Sequence, residues 1–343
     1  YWLSDRAFAT FGKSQKSPYS CKTGIVCGNN VRYLRLWHEV KASDISYNIP
    51  RLDSIETYNY KWAPINQGGT RSKWYGQHFE VVYIYQNAHD MRSERNSMFR
   101  NEDYYFKESL TWNRVGNNPF YARISPAGFV FEDCSPSAFY ENDNEGLYSL
   151  GLFNSKPFDF LLQLFRGGFK VEIGHIEKVP FIKDSNKAHN IQTRVNDNIQ
   201  ISKADWDAHE TSWDFEENEL IALQKEGLGT ITAGFGDTTV MKYSDLELLY
   251  MEYEAKWREK FIQLHSNEEE LNLSIKEMMK NLQIAGVSCA ASVQFDRKIP
   301  SDVVMRLFDF YEFVVENAFD GLTYLLARFF SRDGSFYCCV DAM

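Results

Sequence analysis

The sequence predicts an α+β fold, in which a β-rich first part is followed by an acidic helical part. Between about residues 22 and 183, short apolar and aromatic runs are separated by Gly, Asn and Pro, a pattern typical of strands and turns. Beyond about residue 190, apolar residues recur at steps of three and four, which indicates helices. The charge changes along the chain as well, from basic to acidic.

The first part contains three segments with the alternating or continuous apolar pattern of strands. They are HFEVVYIY (78–85), FYARIS (120–125) and AGFVFE (127–132). Turn signals separate the apolar runs, among them QGG (67–69), VGNNP (115–119) and ENDNEG (141–146). One helix is also predicted here, because Asn154 and Ser155 can cap it and Pro157 suits its first turn.

The second part contains two matches to the capping-box pattern of helix starts. Ser244-Asp-Leu-Glu247 predicts the start of one helix, and Ser266-Asn-Glu-Glu269 predicts the start of another. A third long helix fits residues 302–330, where charged residues interrupt the apolar run and argue against a membrane span. The Gly/Thr-rich residues 225–240 predict a connection between elements.

The 343 residues carry a net charge of −10, which by itself disfavours a polyanionic partner. The charge is divided unevenly, however. Residues 1–125 hold 17 Lys and Arg against 11 Asp and Glu, hence +6, and the remaining residues hold 20 against 36, hence −16. A nucleic acid would therefore contact the first third and avoid the rest.

The six cysteines show no paired C-x-x-C spacing, which disfavours a zinc site. Cys338 and Cys339 are adjacent and unsuited to bridging each other, so reduced thiols in a cytoplasmic protein are expected. The first residues also lack the basic and apolar regions of a secretory signal.

Eight strings occur in order along residues 22–280. They are KTGIVCGNNVRYLRLWHEV (22–40), KWAPINQGGTRSKWYG (61–76), YYFKESLTWNRV (104–115), RISPAGFVFEDCSPSAF (123–139), LGLFNSKPFDFLLQLF (150–165), VEIGHIEKVPFI (171–182), SKADWDAHETSWDF (202–215) and WREKFIQLHSNEEELN (257–272). Together they resemble the target-recognition and C-terminal part of PglX-type adenine-specific DNA methyltransferases of BREX phage-defence systems. More loosely, they resemble fused restriction–modification enzymes.

The resemblance implies that the whole protein methylates adenine in a short DNA site with S-adenosylmethionine. It implies three regions: a linker from a missing catalytic domain (1–21), a target-recognition domain (22–190) and a helical C-terminal region (191–343). The implied partners are double-stranded DNA and, in addition, other BREX defence proteins. Neither a catalytic residue nor a cofactor site is expected in this chain.

Two segments imitate the motifs of an amino-methyltransferase. Asn118-Pro-Phe-Tyr121 has the Asn and the aromatic residue of a flipped-adenine turn but lacks its second proline, so a hairpin turn is expected. Ala233-Gly-Phe-Gly-Asp237 follows a strand-like segment, but no helix is predicted before Ser244, whereas a cofactor loop should run directly into its helix. A self-contained, permuted methyltransferase stays open as the least favoured alternative.

An acidic group within SKADWDAHETSWDF could be taken for a metal or nuclease cluster. Its members are Asp205, Asp207, His209, Glu210 and Asp214. On a helix, Asp207 and Glu210 share a face but Asp205 does not. The favoured interpretation is the start of a solvated helix that is anchored by Trp206, Trp213 and Phe215.

The residues predicted to contact DNA lie in two Gly-containing segments of the basic third. Arg and Asn form paired hydrogen bonds with base edges and also hold phosphates. The predicted contacts are Asn29, Asn30, Arg32, Arg35, Lys61, Gln67, Thr70, Arg71, Lys73 and Tyr75. If residues 32–35 are extended, the two arginines face opposite sides, so one of them faces DNA. Trp62 and Trp74 are expected in the core, and Lys107, Asn113, Arg114, Asn117 and Arg123 are secondary candidates.

These patterns favour a module that recognises a duplex DNA sequence for an adenine-specific methyltransferase. A module that binds other defence proteins through its helical part is the alternative from another class.

Overall fold

The computed structural model describes most of the chain and confirms the α+β fold. The described residues are 14–47, 49, 51–52, 60–69, 72–116, 119–225 and 243–278, together with two short strands at 292–295 and 336–339. The helix predicted over 302–330 lies outside these residues, as does the connection predicted over 225–240 except for residue 225, which ends a helix.

Two four-stranded sheets form the β part of the described chain. The first has the order β1-β8-β5-β6 and is antiparallel throughout, whereas the second has the order β2-β4-β3-β7 and joins β3 to β7 in parallel. The strands are β1 (Tyr19–Lys22), β2 (Leu34–Leu36), β3 (Trp62–Asn66), β4 (Glu80–Tyr83), β5 (Ser109–Trp112), β6 (Ala122–Ser125), β7 (Val130–Phe131) and β8 (Ser137–Tyr140). The strands predicted within 78–85, 120–125 and 127–132 are confirmed as β4, β6 and β7. A separate antiparallel pair joins β9 (Ser292–Phe295) and β10 (Phe336–Cys339).

Helices connect and cover these sheets. They are α1 (Asn30–Tyr33), the irregular α2 (Tyr85–Arg92), α3 (Asp143–Phe153), α4 (Lys156–Gln163), α5 (Ile173–Lys178), α6 (Ser185–Asp207), α7 (Glu219–Lys225) and α8 (Tyr243–Met278). Short 3-10 turns occupy Trp37–Glu39, Ala42–Asp44 and Glu102–Tyr104. Within the described residues, no helix combines the length and apolar character needed to cross a membrane.

The helix predicted after Ser155 is confirmed as α4. The Ser155 hydroxyl accepts a hydrogen bond from the Phe158 amide (3.3 Å), and Pro157 lies in the first turn, where its missing N–H has no partner to lose. Phe158, Leu161 and Leu162 are buried in the core that α4 shares with the first sheet.

The first sheet and the helices share one apolar core. Trp112 of β5 and Phe153 of α3 pack edge to face, and Ile191 of α6 and Leu271 of α8 belong to the same buried cluster. Because α6 spans residue 190 and packs on α3 and α8, the two predicted parts meet in this core. The boundary at residue 190 stays a prediction.

The prediction of a second helix start at Ser266 is wrong, because α8 continues from Tyr243 to Met278. Asn267 and Glu268, the two central residues of the capping pattern, are buried and bind other elements. The Asn267 amide donates to Asn198 Oδ1 of α6 (2.9 Å), and Glu268 accepts from Trp74. Tertiary partners for these polar groups let the helix run through the capping pattern.

Candidate nucleic-acid interface

An exposed turn leads from the first sheet into the second. Gly28 adopts a positive φ of 76°, and the Asn29 side chain then caps α1 by accepting from the Arg32 amide (3.2 Å). Asn29 and Asn30 are exposed, and Val31 is 85% exposed. The turn therefore presents the side chains of two asparagines and one valine to solvent, next to Arg32.

Arg32 lies in α1 and Arg35 in β2, so the premise that both lie on one extended segment is wrong. The Arg32 side chain is 56% exposed, and its guanidinium pairs with Glu94 (3.1 Å) and Asp90 (3.5 Å). Arg35 is half-buried and donates to the carbonyls of Val31 (2.5 Å) and Leu34 (2.6 Å). Arg32 is thus the more accessible cation, and surface pairs of its kind are weak and exchangeable.

Lys61 and Gln67 lie at the two ends of β3. Lys61 donates to Asp44 Oδ2 (2.9 Å), and this hydrogen bond raises the pKa of the partly exposed ammonium. The half-buried Gln67 offers its backbone carbonyl to Arg123 Nη2 (3.4 Å). Thr70 and Arg71, predicted beyond Gln67, lie outside the described residues.

Lys73 and Tyr75 were predicted to contact DNA, but both are buried. The Lys73 ammonium pairs with Glu268 of α8 at 2.7 Å, and the same carboxylate oxygen accepts from Trp74 Nε1 at 2.8 Å. In this arrangement the Lys73 side chain is 5% exposed and links α8 to the β part. Trp74 is buried, which confirms the prediction that it lies in the core.

Tyr75, Gly76 and His78 meet the end of α6 in an aromatic cluster. Gly76 has a φ of 108°, and a Cβ there would lie 2.9 Å from the Trp206 ring. His78 stacks on Trp213 at a centroid distance of 5.7 Å and contacts the Tyr75 ring at 4.8 Å. The segments KWYG and SKADWDAHETSWDF are therefore packing partners.

The interpretation of SKADWDAHETSWDF as a helix start is wrong in one respect, because it contains the end of α6 at Asp207. Trp206 is confirmed as a buried anchor. Asp207 accepts from Lys203 (2.6 Å) and from Ser212 (2.9 Å). Across the described part of the chain, no group of three or more acidic, His or Cys residues is arranged to hold a metal ion.

The secondary candidates have different surroundings. Arg114 pairs with Asp133 and Glu172, and these bonds raise its pKa. Lys107 is exposed and lies over the Tyr104 ring (5.1 Å), whereas Arg123 is buried. Asn113 donates to the Gly69 carbonyl (2.8 Å), and Asn117 lies outside the described residues.

The two methyltransferase-like motifs are only partly described. Asn118 and residues 233–237 lie outside the described residues, but Phe120 and Tyr121 are placed. Phe120 packs on Phe158 and Phe153 in the core, and Tyr121 lies beside Lys73. Tyr121 also lines a small cavity with Arg123 and with Arg166, a residue that the sequence patterns did not single out. Only the tertiary proximity of Arg166 to Arg123 distinguishes it from other surface arginines.

Comparison with known proteins connects this chain to two curated methyltransferases, although no family model matches it. The adenine-specific methyltransferase PglX of Lacticaseibacillus casei (strain Zhang) is 28% identical over 282 residues, which are 79% of this chain and 22% of the relative. The adenine-specific methyltransferase BrxX of Escherichia coli O9:H4 (strain HS) is 34% identical over 191 residues, 55% of this chain and 15% of the relative. The chain thus spans between a seventh and a quarter of the length of these relatives. The sequence of this chain is therefore related to the adenine-specific methyltransferases of the PglX and BrxX type.

Proposed function

We propose that this chain recognises a short sequence in double-stranded DNA and delivers its target adenine to a methyltransferase domain of the same protein. The observation that carries the proposal is the exposed turn Asn29–Arg32 on the basic third of the chain. Amide groups and a guanidinium can pair with base edges, and the exposed Val31 suits the methyl group of thymine. The relationship to two adenine-specific methyltransferases supports it.

The proposed contacts are those of the predicted set that remain accessible or lie outside the described residues. They are Asn29, Asn30, Arg32, Arg35, Lys61, Gln67, Thr70 and Arg71. Lys73 and Tyr75 are assigned instead to the packing of the recognition surface, because their polar groups contact α8 and α6. A phosphate could displace Glu94 or Asp90 from Arg32, since both carboxylates are partly exposed.

Under this proposal, S-adenosylmethionine is the cofactor of the whole protein. Doubly wound enzymes bind nucleotide cofactors at the carboxyl ends of parallel strands. In the described residues, the two large sheets are antiparallel apart from the β3–β7 pair, and their residues do not fit such a site. We therefore assign cofactor binding to the portion of the relatives' length that this chain does not span.

Substitution of Arg32 by Ala tests the proposal, with Arg258→Ala as a matched control. Both arginines are exposed and pair with a carboxylate, Arg32 with Glu94 and Arg258 with Glu254 (2.8 Å), but Arg258 lies on the acidic helix α8. We expect Arg32→Ala to weaken duplex binding by roughly 1–3 kcal/mol if the guanidinium contacts a base. Fluorescence anisotropy with a labelled duplex measures the affinity, and sequencing of the sites methylated by the whole protein measures specificity.

A relaxed position in the methylated site would identify Arg32 as a base contact. Equal weakening on all sequences would identify a phosphate contact. The proposal fails if Arg32→Ala and Arg258→Ala have the same affinity and site preference as the unaltered protein, with thermal melts showing that both variants fold.

A second candidate function is the docking of another protein on α8. Exposed apolar side chains along this helix favour it, among them Leu248, Met251, Ile262 and Leu273. If it is correct, DNA binding is absent while Met251→Ser weakens an interaction with another protein of the defence system.

A further inference from the structure

A small cavity opens beside the proposed DNA contacts. Its volume is about 40 Å³, and its lining includes Ser72, Asn113, Gly116, Tyr121, Arg123 and Arg166. A space of this size holds a few water molecules or one tetrahedral oxyanion, but not a nucleobase. The walls supply hydroxyl, amide and guanidinium groups, and the described residues that line the cavity include no carboxylate.

Arg123 is the unusual member of this lining, because it is a buried cation without an ion pair in the described structure. It is 1% exposed, and its Nε has no hydrogen-bond partner. The two other guanidinium nitrogens make long contacts of 3.4 Å with Asn113 Oδ1 and the Gln67 carbonyl. Burial lowers the pKa of Arg123 to about 10, and among the described residues no acid forms an ion pair with it. A buried charge without a partner is costly, so an anionic ligand would stabilise this arrangement.

Arg166 adds a second guanidinium at the edge of the cavity. It is half-buried and donates to the carbonyls of Gly168 (2.6 Å) and Gly116, contacts that orient the side chain and leave its positive charge in place. The charge of Asp159 interacts with that of Arg166, and the Asp159 carboxylate also accepts hydrogen bonds from the Phe120 amide (3.1 Å) and from Gln163 (3.0 Å). Two guanidinium groups are thus positioned around one oxyanion-sized space.

We propose that this cavity binds a phosphate group between Arg123 and Arg166, supplied either by the DNA backbone or by a free phosphate ion. Arginine binds phosphate oxygens through charge-assisted hydrogen bonds, and Arg123 Nε is a buried donor that no other group in the described structure uses. The assignment of the ligand to a phosphate of the DNA backbone rests on the proposed function, whereas the proposal that the cavity binds phosphate does not. Because Arg123 contacts the carbonyl of Gln67, a phosphate bound here would lie close to one of the predicted DNA contacts.

The test is a titration with inorganic phosphate at constant ionic strength, followed by phosphorus NMR line broadening and by the shift of the melting temperature. We expect saturable binding that Arg166→Ala weakens at least about tenfold, the effect of losing a hydrogen bond to a charged group. Arg258→Ala, on α8, serves as the control and should bind phosphate normally. Arg123→Lys keeps the buried charge but lacks the planar guanidinium. If this variant has the melting temperature of the unaltered protein in the absence of phosphate and yet binds phosphate more weakly, the guanidinium is responsible for binding.

A second titration adds unlabelled duplex DNA to the phosphate complex. Displacement of phosphate by DNA identifies a backbone phosphate as the ligand, and independent binding identifies a free ion. Absence of saturable phosphate binding, or equal binding by the unaltered protein and Arg166→Ala, overturns the proposal. DNA binding that depends on Arg32 would still stand in that case, so the two proposals fail separately.

Discussion

At the residue scale, Glu132 combines burial with neighbouring negative charge. It follows β7, is 8% exposed, and donates its amide to the Asn66 carbonyl (3.2 Å). Burial, and then the charges of Glu80 and Asp133, raise the pKa of Glu132 to about 7. Burial also raises the pKa of Glu80. The folded protein therefore retains a proton that the unfolded chain releases near pH 4.5.

Because the folded pKa of Glu132 is the higher one, its contribution to stability is complete below about pH 4.5 and declines as the pH rises to about 7. We expect Glu132→Gln to be more stable than the unaltered protein at pH 8, by up to about 3 kcal/mol, with the difference vanishing near pH 4.5. Urea denaturation between pH 5 and 8 measures it, and the exposed Glu210→Gln is the control. A difference that is the same at all pH values would contradict the assignment.

His78 acts in the opposite direction over a different range. Burial first, then the charges of Arg123 and Lys203, lower the pKa of His78 to about 3. Below about pH 6.5, His78 binds a proton in the unfolded chain but stays neutral in the folded protein. The free energy of unfolding therefore falls as the pH is lowered. This contribution is common to the protein and its Glu132 variant, and it cancels in their difference.

At the scale of elements, Glu268 connects α8 to the segment between β3 and β4. Its side chain is 2% exposed, and it serves both Lys73 and Trp74. Burial lowers the pKa of Lys73, and Glu268 opposes this change. The Trp74 backbone has a positive φ of 72° and is held by hydrogen bonds to β6, from Trp74 N to Ala122 O (3.1 Å) and from Ile124 N to Trp74 O (2.9 Å).

We expect Glu268→Gln to destabilise the protein by about 3–5 kcal/mol, because it leaves the Lys73 ammonium buried without its ion-pair partner. The double substitution Lys73→Met with Glu268→Gln should recover most of this loss, since it removes the cation and keeps an acceptor for Trp74. Thermal and urea unfolding measure both. If the double variant is less stable than Glu268→Gln alone, the Lys73 charge is not the cause.

At the scale of the whole molecule, the proposed function and the charge division together predict which part of the protein faces DNA. The segments bearing the proposed contacts belong to the third with a balance of +6, and α6 and α8 to the remainder with −16. A duplex should therefore approach the turn before β2 and the end of β3 while leaving the helices in solvent.

Hydrogen–deuterium exchange with and without duplex DNA should show this orientation. We expect slower exchange in residues 28–35 and 61–69 on DNA binding, and no change in α8. The protection should weaken as salt is raised, because phosphate contacts release counterions. Protection confined to α6 or α8 would contradict this orientation, and unchanged exchange everywhere would favour the protein-docking alternative.

Several features follow from the sequence by itself because their causes are local. The pattern of apolar residues is enough to predict the α+β fold and strands β4, β6 and β7. The cap at Ser155 and the Gly28 turn depend on neighbouring backbone groups, so residue order decides them. The ordered strings likewise indicate the relationship to the adenine-specific methyltransferases.

Other features depend on partners that are distant in the chain. From the sequence alone, Lys73 resembles a DNA-binding residue. In the folded protein it pairs with Glu268, which is 195 positions later in the chain. Ser266–Glu269 has the pattern of a helix start, but burial of Asn267 and Glu268 against α6 and Trp74 keeps α8 continuous. The cavity between Arg123 and Arg166 joins two segments that share no sequence pattern. In each case, the role of a polar side chain depends on whether tertiary packing buries it. Burial of a polar group is stable only beside a suitable partner, and that partner is brought close only in the folded protein.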